Sequence, residues 1–247
     1  MADRRFVYFV SDVHLGLEVA DPAGREARFV RFLESIPKEE TVALYMLGDI
    51  WDFWYEYRDL VPKGYVRVFA ALMDLIGSGV KVYFFQGNHD MWCYSYFESL
   101  GIHRIAQPYF TEIGGKSFCL GHGDELGGAK RGYRFLLWVF RNRVLRCLFS
   151  GLHPWLAFGL ADRWSGSSRK VKKGNGYKFA GESEPLYRFA SSVDAERHVD
   201  FFIFGHFHED VRMSLPFGAR FIILDDWIDG GTPHALFDTA TGSLTIE

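Results

Sequence analysis

Tyr45-Met46-Leu47-Gly48-Asp49-Ile50-Trp51-Asp52 is an apolar run that stops abruptly at Gly-Asp, and the reading of the whole chain turns on it. Val42 to Leu47 has the pattern of a short strand buried on both faces, which delivers Asp49 at the strand's carboxyl end. Open α/β sheets place their ligand sites there. A single Gly-Asp at a strand end is more often a turn starter or a helix cap. Four other strand-like runs, however, end in residues of the same kind: Asp12 and His14, Asn88 and His89, His122, and the pair His206 and His208. Together these strand ends predict one polar cluster in which Asp49 is shared between two metal ions.

Each piece has its own chemistry. Residues 5 to 11 read as a first strand, and residues two apart on an extended segment share a face, so Asp12 and His14 can offer an oxygen and a nitrogen to one side. The same holds for His206 and His208, whose rings can face one metal or a different metal each. After the strand Val80 to Phe85, Gly87 permits close backbone approach, Asn88 supplies an amide oxygen, and His89 suits a phosphate oxygen or a leaving group. Asp90 is expected to orient His89 or to cap a helix through Tyr94 to Leu100. Glycines bracket His122 and leave it room to approach a metal. Asp225, Asp226 and Asp229 read as turn acids, and His103, His153, His198 and His234 as structural.

With 247 residues, 48% of them hydrophobic, the chain is long enough for one large domain spanning residues 1–247. Three widely spaced cysteines, Cys93, Cys119 and Cys147, argue against a disulfide framework and for a reducing compartment. The apolar run at Phe6 to Val10 is too short for a signal peptide or a membrane span, which implies a cytoplasmic protein. The net charge of -3 conceals an asymmetry: residues 130 to 173 carry eleven Lys or Arg against one acid, Asp162. Such a segment suits an anionic partner.

Helical spacing is expected over Arg25 to Ile36, residues 65 to 76, and Pro185 to Val193. Tyr109 to Ile113 and Ser117 to Leu120 flank a Gly114-Gly115 hairpin turn, while Asp200 to Phe204 forms another strand. The last strands, near Val211 to Leu215, Arg220 to Leu224, His234 to Asp238 and Ser243 to Ile246, are expected to close the domain as an antiparallel sheet. The aromatic run at 51 to 57 reads as core, with a pocket wall as the alternative. About residues 130–181 the alternation breaks. Tyr133 to Leu148 gives a long helical pattern, Leu152 to Trp164 a second, and Ser165 to Lys170 a flexible segment. This insert reads as a helical lid that takes acyl chains on its apolar side and phosphates or anionic headgroups on its cations, rather than as a solvated helical hairpin.

Taken together, Asp12-x-His14, Gly48-Asp49, Gly87-Asn88-His89-Asp90, Gly121-His122 and Gly205-His206-x-His208 resemble the motif set of the calcineurin-like metallophosphoesterases. The resemblance covers residues 5 to 125 and 198 to 247. It implies an α/β fold, a four-layer α-β-β-α sandwich of two mixed sheets with the metals at the strand ends. It also implies that one metal takes Asp12, His14, Asp49 and His208 and the other Asp49, Asn88, His122 and His206, with Asp49, Asn88 and His89 serving catalysis. Two divalent ions follow from that donor set, manganese foremost, with iron or zinc as alternatives. Within the superfamily, the basic helical insert looks like that of the UDP-2,3-diacylglucosamine pyrophosphohydrolases of lipid A synthesis. That likeness implies hydrolysis of a nucleotide-linked diacyl sugar to UMP and the acylated sugar 1-phosphate, by an enzyme peripheral to the cytoplasmic face of the inner membrane. Asn88, His89, His206, Arg131, Arg169, Lys170 and Lys173 are the expected substrate contacts.

Two other readings stand beside this one: a phosphoesterase acting on another nucleotide or phosphodiester, and an inactive scaffold or membrane-binding module. So many polar groups at strand ends give a scaffold no chemical reason to keep them. A nucleic-acid partner is not expected, because no recognition motif is visible and the cations alternate with buried-type aromatics.

Overall fold

Side-chain alternation along β1 (Phe6–Val10) sets the layers: Val7 and Phe9 point to one face, Tyr8 and Val10 to the other, and all four are buried. The computed structural model describes residues 4–128, 131–159 and 179–247. β1 pairs in parallel with β2 (Thr41–Met46), which continues to β3 (Lys81–Phe85) and β4 (His103–Ile105). A second sheet is built from β5 (Tyr109–Ile113), β6 (Lys116–Leu120), β7 (Phe201–Phe204), β8 (Val211–Ser214) and β9 (Arg220–Ile223), in the order β5-β6-β7-β9-β8. β10 (Ala235–Asp238) and β11 (Ser243–Ile246) return to the first sheet, whose order is β11-β10-β1-β2-β3-β4. Both sheets are mixed, as the four-layer expectation requires.

Val7, Phe9, Tyr45 and Phe85 meet Phe118, Leu120, Ile203 and Ile222 between the sheets. On the outer face of the first sheet, Tyr8, Val10, Leu44 and Phe84 pack under α1 (Pro22–Ser35) and α2 (Val66–Gly77), while α6 (Pro185–Glu196) covers Phe202, Phe204 and Phe221 of the second. Central strands buried on both faces explain the uninterrupted apolar runs in the sequence.

Several expectations are corrected here. The final strands do not form one closing antiparallel sheet: β8 and β9 complete the second sheet and β10 and β11 the first, because β9 runs parallel to β7 and β10 antiparallel to β1. The three-residue edge strand β4 is too short to show a pattern. α3 (Tyr96–Ser99) is one turn, and its N-terminus is held by Glu56, which accepts from the backbone N–H of Tyr94, Ser95 and Tyr96 at 2.7, 2.8 and 3.2 Å. Asp90 therefore does not cap it.

The long helical pattern of the insert breaks at Asn142 into α4 (Arg131–Arg141) and α5 (Arg143–Ser150), since the Asn142 side chain accepts from the N–H of Val144 and Leu145 and restarts the helix. The helical pattern from Leu152 is present over residues 154–159, and the stretch from residue 160 to Lys170 lies outside the described residues. Hydrogen bonds dock the insert, among them those from Tyr55 Oη to the Arg146 carbonyl at 3.1 Å, from Trp92 Nε1 to the Phe140 carbonyl at 3.2 Å, and from Tyr133 Oη to Asp124 at 2.8 Å. The aromatic run divides between its two readings, with Trp51, Trp54 and Tyr55 in the core and Phe53 edge-on to Phe158 in a cavity wall.

Candidate metal centre

Five strand ends converge, and the backbone that brings them together is strained. Asp12, His14, Asp49, His206 and His208 have φ of 52°, 50°, 51°, 75° and 56°, in the left-handed region that non-glycine residues seldom adopt. The pairs Asp12/His14 and His206/His208 thus do not converge by extended alternation, as the spacing suggested, but through left-handed turns that aim the side chains inward. Cross-loop bonds hold this geometry: Asp12 N–H donates to the Gly48 carbonyl at 3.1 Å, His14 N–H to that of Asp49 at 3.0 Å, and Gly205 N–H to that of His122 at 3.0 Å.

Each key carboxylate has one oxygen anchored and one facing inward. Asp12 Oδ2 accepts from Ser11 Oγ at 2.6 Å and His206 N–H at 2.9 Å, while Oδ1 lies 3.5 Å from His208 Nε2 and 3.7 Å from His14 Nε2. Asp49 Oδ1 accepts from His89 N–H at 2.9 Å, and Oδ2 lies 3.4 Å from His122 Nε2 and 3.9 Å from His14 Nε2. Close approach demands glycine: a Cβ on Gly87 would overlap Asp49 Oδ1, and one on Gly205 would overlap Ser11 Oγ and Asp12 Oδ2.

Second partners set the imidazole orientations. His14 Nδ1 meets Asp52 Oδ1 at 3.2 Å, His208 Nδ1 meets Asp226 Oδ2 at 2.8 Å, and His122 Nδ1 donates to the Leu47 carbonyl at 3.0 Å. With Nδ1 as the donor, each Nε2 turns its lone pair toward the cluster. The Nε2 atoms of His14 and His208 then stand 3.3 Å apart, an arrangement that needs a cation or a proton between them. Two donor groups result, Asp12/His14/His208 and Asp49/His122/His206, with the ligand atoms of each within 4.8 Å of one another. A third grouping adds His89 beside His14 and Asp49. Asp12 Oδ1, Asn88 Oδ1 and His122 Nε2 are buried without a hydrogen-bond partner among the described residues. Mixed imidazole, carboxylate and amide donors with buried, unsatisfied atoms fit a pair of divalent cations.

The electrostatics agree. Burial would raise the Asp12 carboxyl, but His14, His208 and His122 hold it well below the usual range; Asp49 is likewise depressed against its burial by His122, His89 and His14. Burial disfavours a charged imidazole, yet Asp12 and Asp52 lift His14 to about 9, and Asp49 and Asp12 lift His122 to about 10. The pocket demands positive charge, as protons or as metal.

The calcineurin-like phosphoesterase family profile matches residues 7–210. This chain belongs to that family. A UDP-2,3-diacylglucosamine hydrolase of Porphyromonas gingivalis is 40% identical over 99% of this phosphoesterase and 97% of the relative. One from Stenotrophomonas maltophilia with the same name is 30% identical over 91% of this chain and 92% of its own. Among solved structures, an archaeal phosphodiesterase aligns at 13% identity over 98% of each chain with a TM-score of 0.48.

In this phosphoesterase six of the seven expected ligand positions, Asp12, His14, Asp49, His122, His206 and His208, come together with His89, and Asn88, next to His89 in the chain, has its Oδ1 buried and unmatched among the described residues. Arg131 does not join them: it is exposed at the start of α4, and no hydrogen bond or ion pair ties it to the cluster among the described residues. Arg169, Lys170 and Lys173 lie outside the described residues. Three acids were missed or misread. Asp52 and Asp226 orient ligand histidines, and Asp226 also retains the turn role read for it, accepting from Ile228 N–H at 2.7 Å. Asp90 accepts from the N–H of Gly87, Asp49, Ile50 and Trp51 at 2.8, 3.3, 2.8 and 3.3 Å, joining the β2 and β3 loops instead of orienting His89. Its carboxyl is pushed up to about 7 by burial and by Asp49. His89 is oriented by a backbone group, donating from Nδ1 to the Asp52 carbonyl at 2.9 Å. Asp226 follows β9, the neighbour of β7, so the strand-end rule applied once more would have found it.

Proposed function

We propose that this chain hydrolyses the pyrophosphate bond of UDP-2,3-diacylglucosamine, giving UMP and 2,3-diacylglucosamine 1-phosphate, at a centre of two manganese ions. The observation that carries this reading is the 40% identity, over nearly the full length of both chains, to the P. gingivalis hydrolase of that name. Asp12, His14, Asp49 and His208 would hold one ion, and Asp49, Asn88, His122 and His206 the other. Such a pair supplies a nucleophile from water at neutral pH and offsets charge that develops on the phosphoryl oxygens.

The remaining chemistry belongs to the protein. Asp52 and Asp226 keep His14 and His208 in the required tautomer and orientation. The anchored oxygens of Asp12 and Asp49 fix their partners without reorganisation during turnover. His89, its Nδ1 committed to the Asp52 carbonyl, presents its Nε2 side to a phosphate oxygen or the leaving group.

An apolar cavity of about 500 Å³ supports the acyl half of the reading: Leu15 and Asp52, next to the His14 side of the cluster, form one wall, and Phe53, Val61, Trp155 and Phe158 others. A peripheral membrane position at the cytoplasmic face is part of the same proposal. Phe135, Val144, Leu148 and Trp155 are 66%, 67%, 65% and 76% exposed on a segment that also displays Arg131, Arg134 and Arg143. Aromatic and aliphatic side chains among cations suit an anionic lipid surface. No described helix is long and apolar enough to cross a membrane.

The decisive assay is product analysis. With manganese and UDP-2,3-diacylglucosamine, UMP and the acyl sugar phosphate should appear in equal amounts. Absence of UMP from metal-loaded protein that still cleaves a simple phosphodiester would move the assignment to another substrate of the same family.

A further inference from the structure

The metal centre is flanked by two cavities of unlike chemistry. The apolar one touches the His14 side. The other, about 530 Å³, adjoins the opposite side through Gly87, which precedes Asn88 and abuts Asp49, and through Glu125 on the loop that follows His122. Its size falls within the range of small-molecule sites. Flat aromatic side chains, Trp92, Tyr94 and Phe140, share its walls with Arg104, Arg141 and Arg146.

Two of those guanidiniums are neutralised. Arg104 pairs with Glu98 at 2.9 Å, and Arg141 makes a two-pronged pair with Glu125. Arg146 has no acidic partner among the described residues; its guanidinium lies 5.4 Å from the Tyr94 ring centre, and its Nε is buried without a hydrogen-bond partner among them. A buried donor left unmatched costs about 1–3 kcal/mol unless a ligand accepts from it. An acyl chain would leave the Arg146 Nε unmatched, whereas a planar ring bearing carbonyl acceptors would meet both the aromatic faces and the donor.

We propose that this cavity is the nucleoside pocket. Resting on the function proposed above, the inference places the uracil ring against Trp92 and Tyr94, lets Arg146 donate to a ring carbonyl, and directs the attached phosphate past Gly87 to Asn88. The two halves of the substrate then occupy separate cavities with the scissile bond over the metals, and specificity for a uridine nucleotide lies in α5 and the segment after β3.

The test is UMP binding to the manganese-loaded full chain, followed by titration calorimetry, with ribose 5-phosphate and 2,3-diacylglucosamine 1-phosphate as reference probes. Wild type should bind UMP more tightly than ribose 5-phosphate. Arg146→Met should weaken UMP binding about tenfold or more, while two metals per chain and acyl sugar phosphate binding are retained. Phe140→Leu, a milder change beside Trp92, whose ring it meets edge-on, should weaken UMP in the same selective way and serves if the arginine variant does not fold. UMP affinity unchanged in these variants would overturn the nucleoside pocket and leave the proposed reaction standing. Metal-loaded wild type that binds neither UMP nor the acyl sugar phosphate would overturn both.

Discussion

Asp226 Oδ2 lies 2.8 Å from His208 Nδ1, so an acid at the end of one strand orients an imidazole from the end of the neighbouring strand. Removing such a carboxylate commonly costs about 10- to 100-fold in metal affinity. Asp226→Ala should therefore weaken binding at the Asp12/His14/His208 group by that factor and leave the other ion in place. Stepwise manganese titration, with two resolved affinities, checks this; equal loss at both positions would contradict it.

Asp90 contributes to the architecture more than to the chemistry. Four backbone N–H groups converge on its carboxylate, and Asp90→Ala would leave them buried and unmatched. A loss of at least about 3 kcal/mol is expected, which corresponds to a fall in Tm of roughly 10 °C for a chain of this size. Thermal unfolding of the metal-loaded variant measures it, and an unchanged Tm would refute the tie between the β2 and β3 loops.

The raised imidazoles fix a pH dependence. His14, lifted to about 9, and His122, lifted to about 10, both lie above the ordinary value of 6.5. In metal-stripped protein the stability they confer is fully present below pH 6.5 and is lost as pH rises through 9 to 10. Tm of the stripped protein should fall by roughly 5 °C or more between pH 6.5 and 9.5, relative to metal-loaded protein in which the ions replace the protons. Parallel scans of the two forms are the check, and curves that stay parallel across that interval would contradict the assignment.

Much of this centre was legible because a metal ligand at a strand end needs two visible things: a buried apolar run that halts, and a donor just beyond it. Gly48-Asp49 and Gly205-His206 show both. What stayed hidden depends on contacts between loops. Asp52 and Asp226 look like ordinary loop acids until His14 and His208 turn toward them, and Asp90 acquires its role only where the β2 and β3 loops touch. The left-handed backbone at Asp12 and His208 was equally invisible, since neither residue type announces it. In the fold, each strand of the last meander could be read locally, but its division between two sheets is set by whether β9 pairs with β7 and β10 with β1, which no local pattern encodes.

The insert is coupled to the loop that carries His122 by a hydroxyl and by an ion pair, Arg141 with Glu125. Tyr133 Oη donates to Asp124 at 2.8 Å, and Asp124 also accepts from Gln107 Nε2 at 2.6 Å, on the loop that carries His122. Tyr133→Phe loosens α4 on that loop, leaving the Arg141–Glu125 pair, and should raise KM for the acylated substrate about fivefold with a smaller change in kcat, because positioning rather than chemistry is lost. Steady-state kinetics separates the two; a fall in kcat at constant KM would place Tyr133 in the chemistry instead.

The central claim is that Asp49 serves two ions at once, and metal analysis of Asp49→Ala beside wild type tests it most directly. Wild type should carry two divalent ions per chain after desalting, and the variant should lose both, with turnover abolished. A variant that keeps both ions, or a wild type that retains none after loading, would contradict the shared carboxylate.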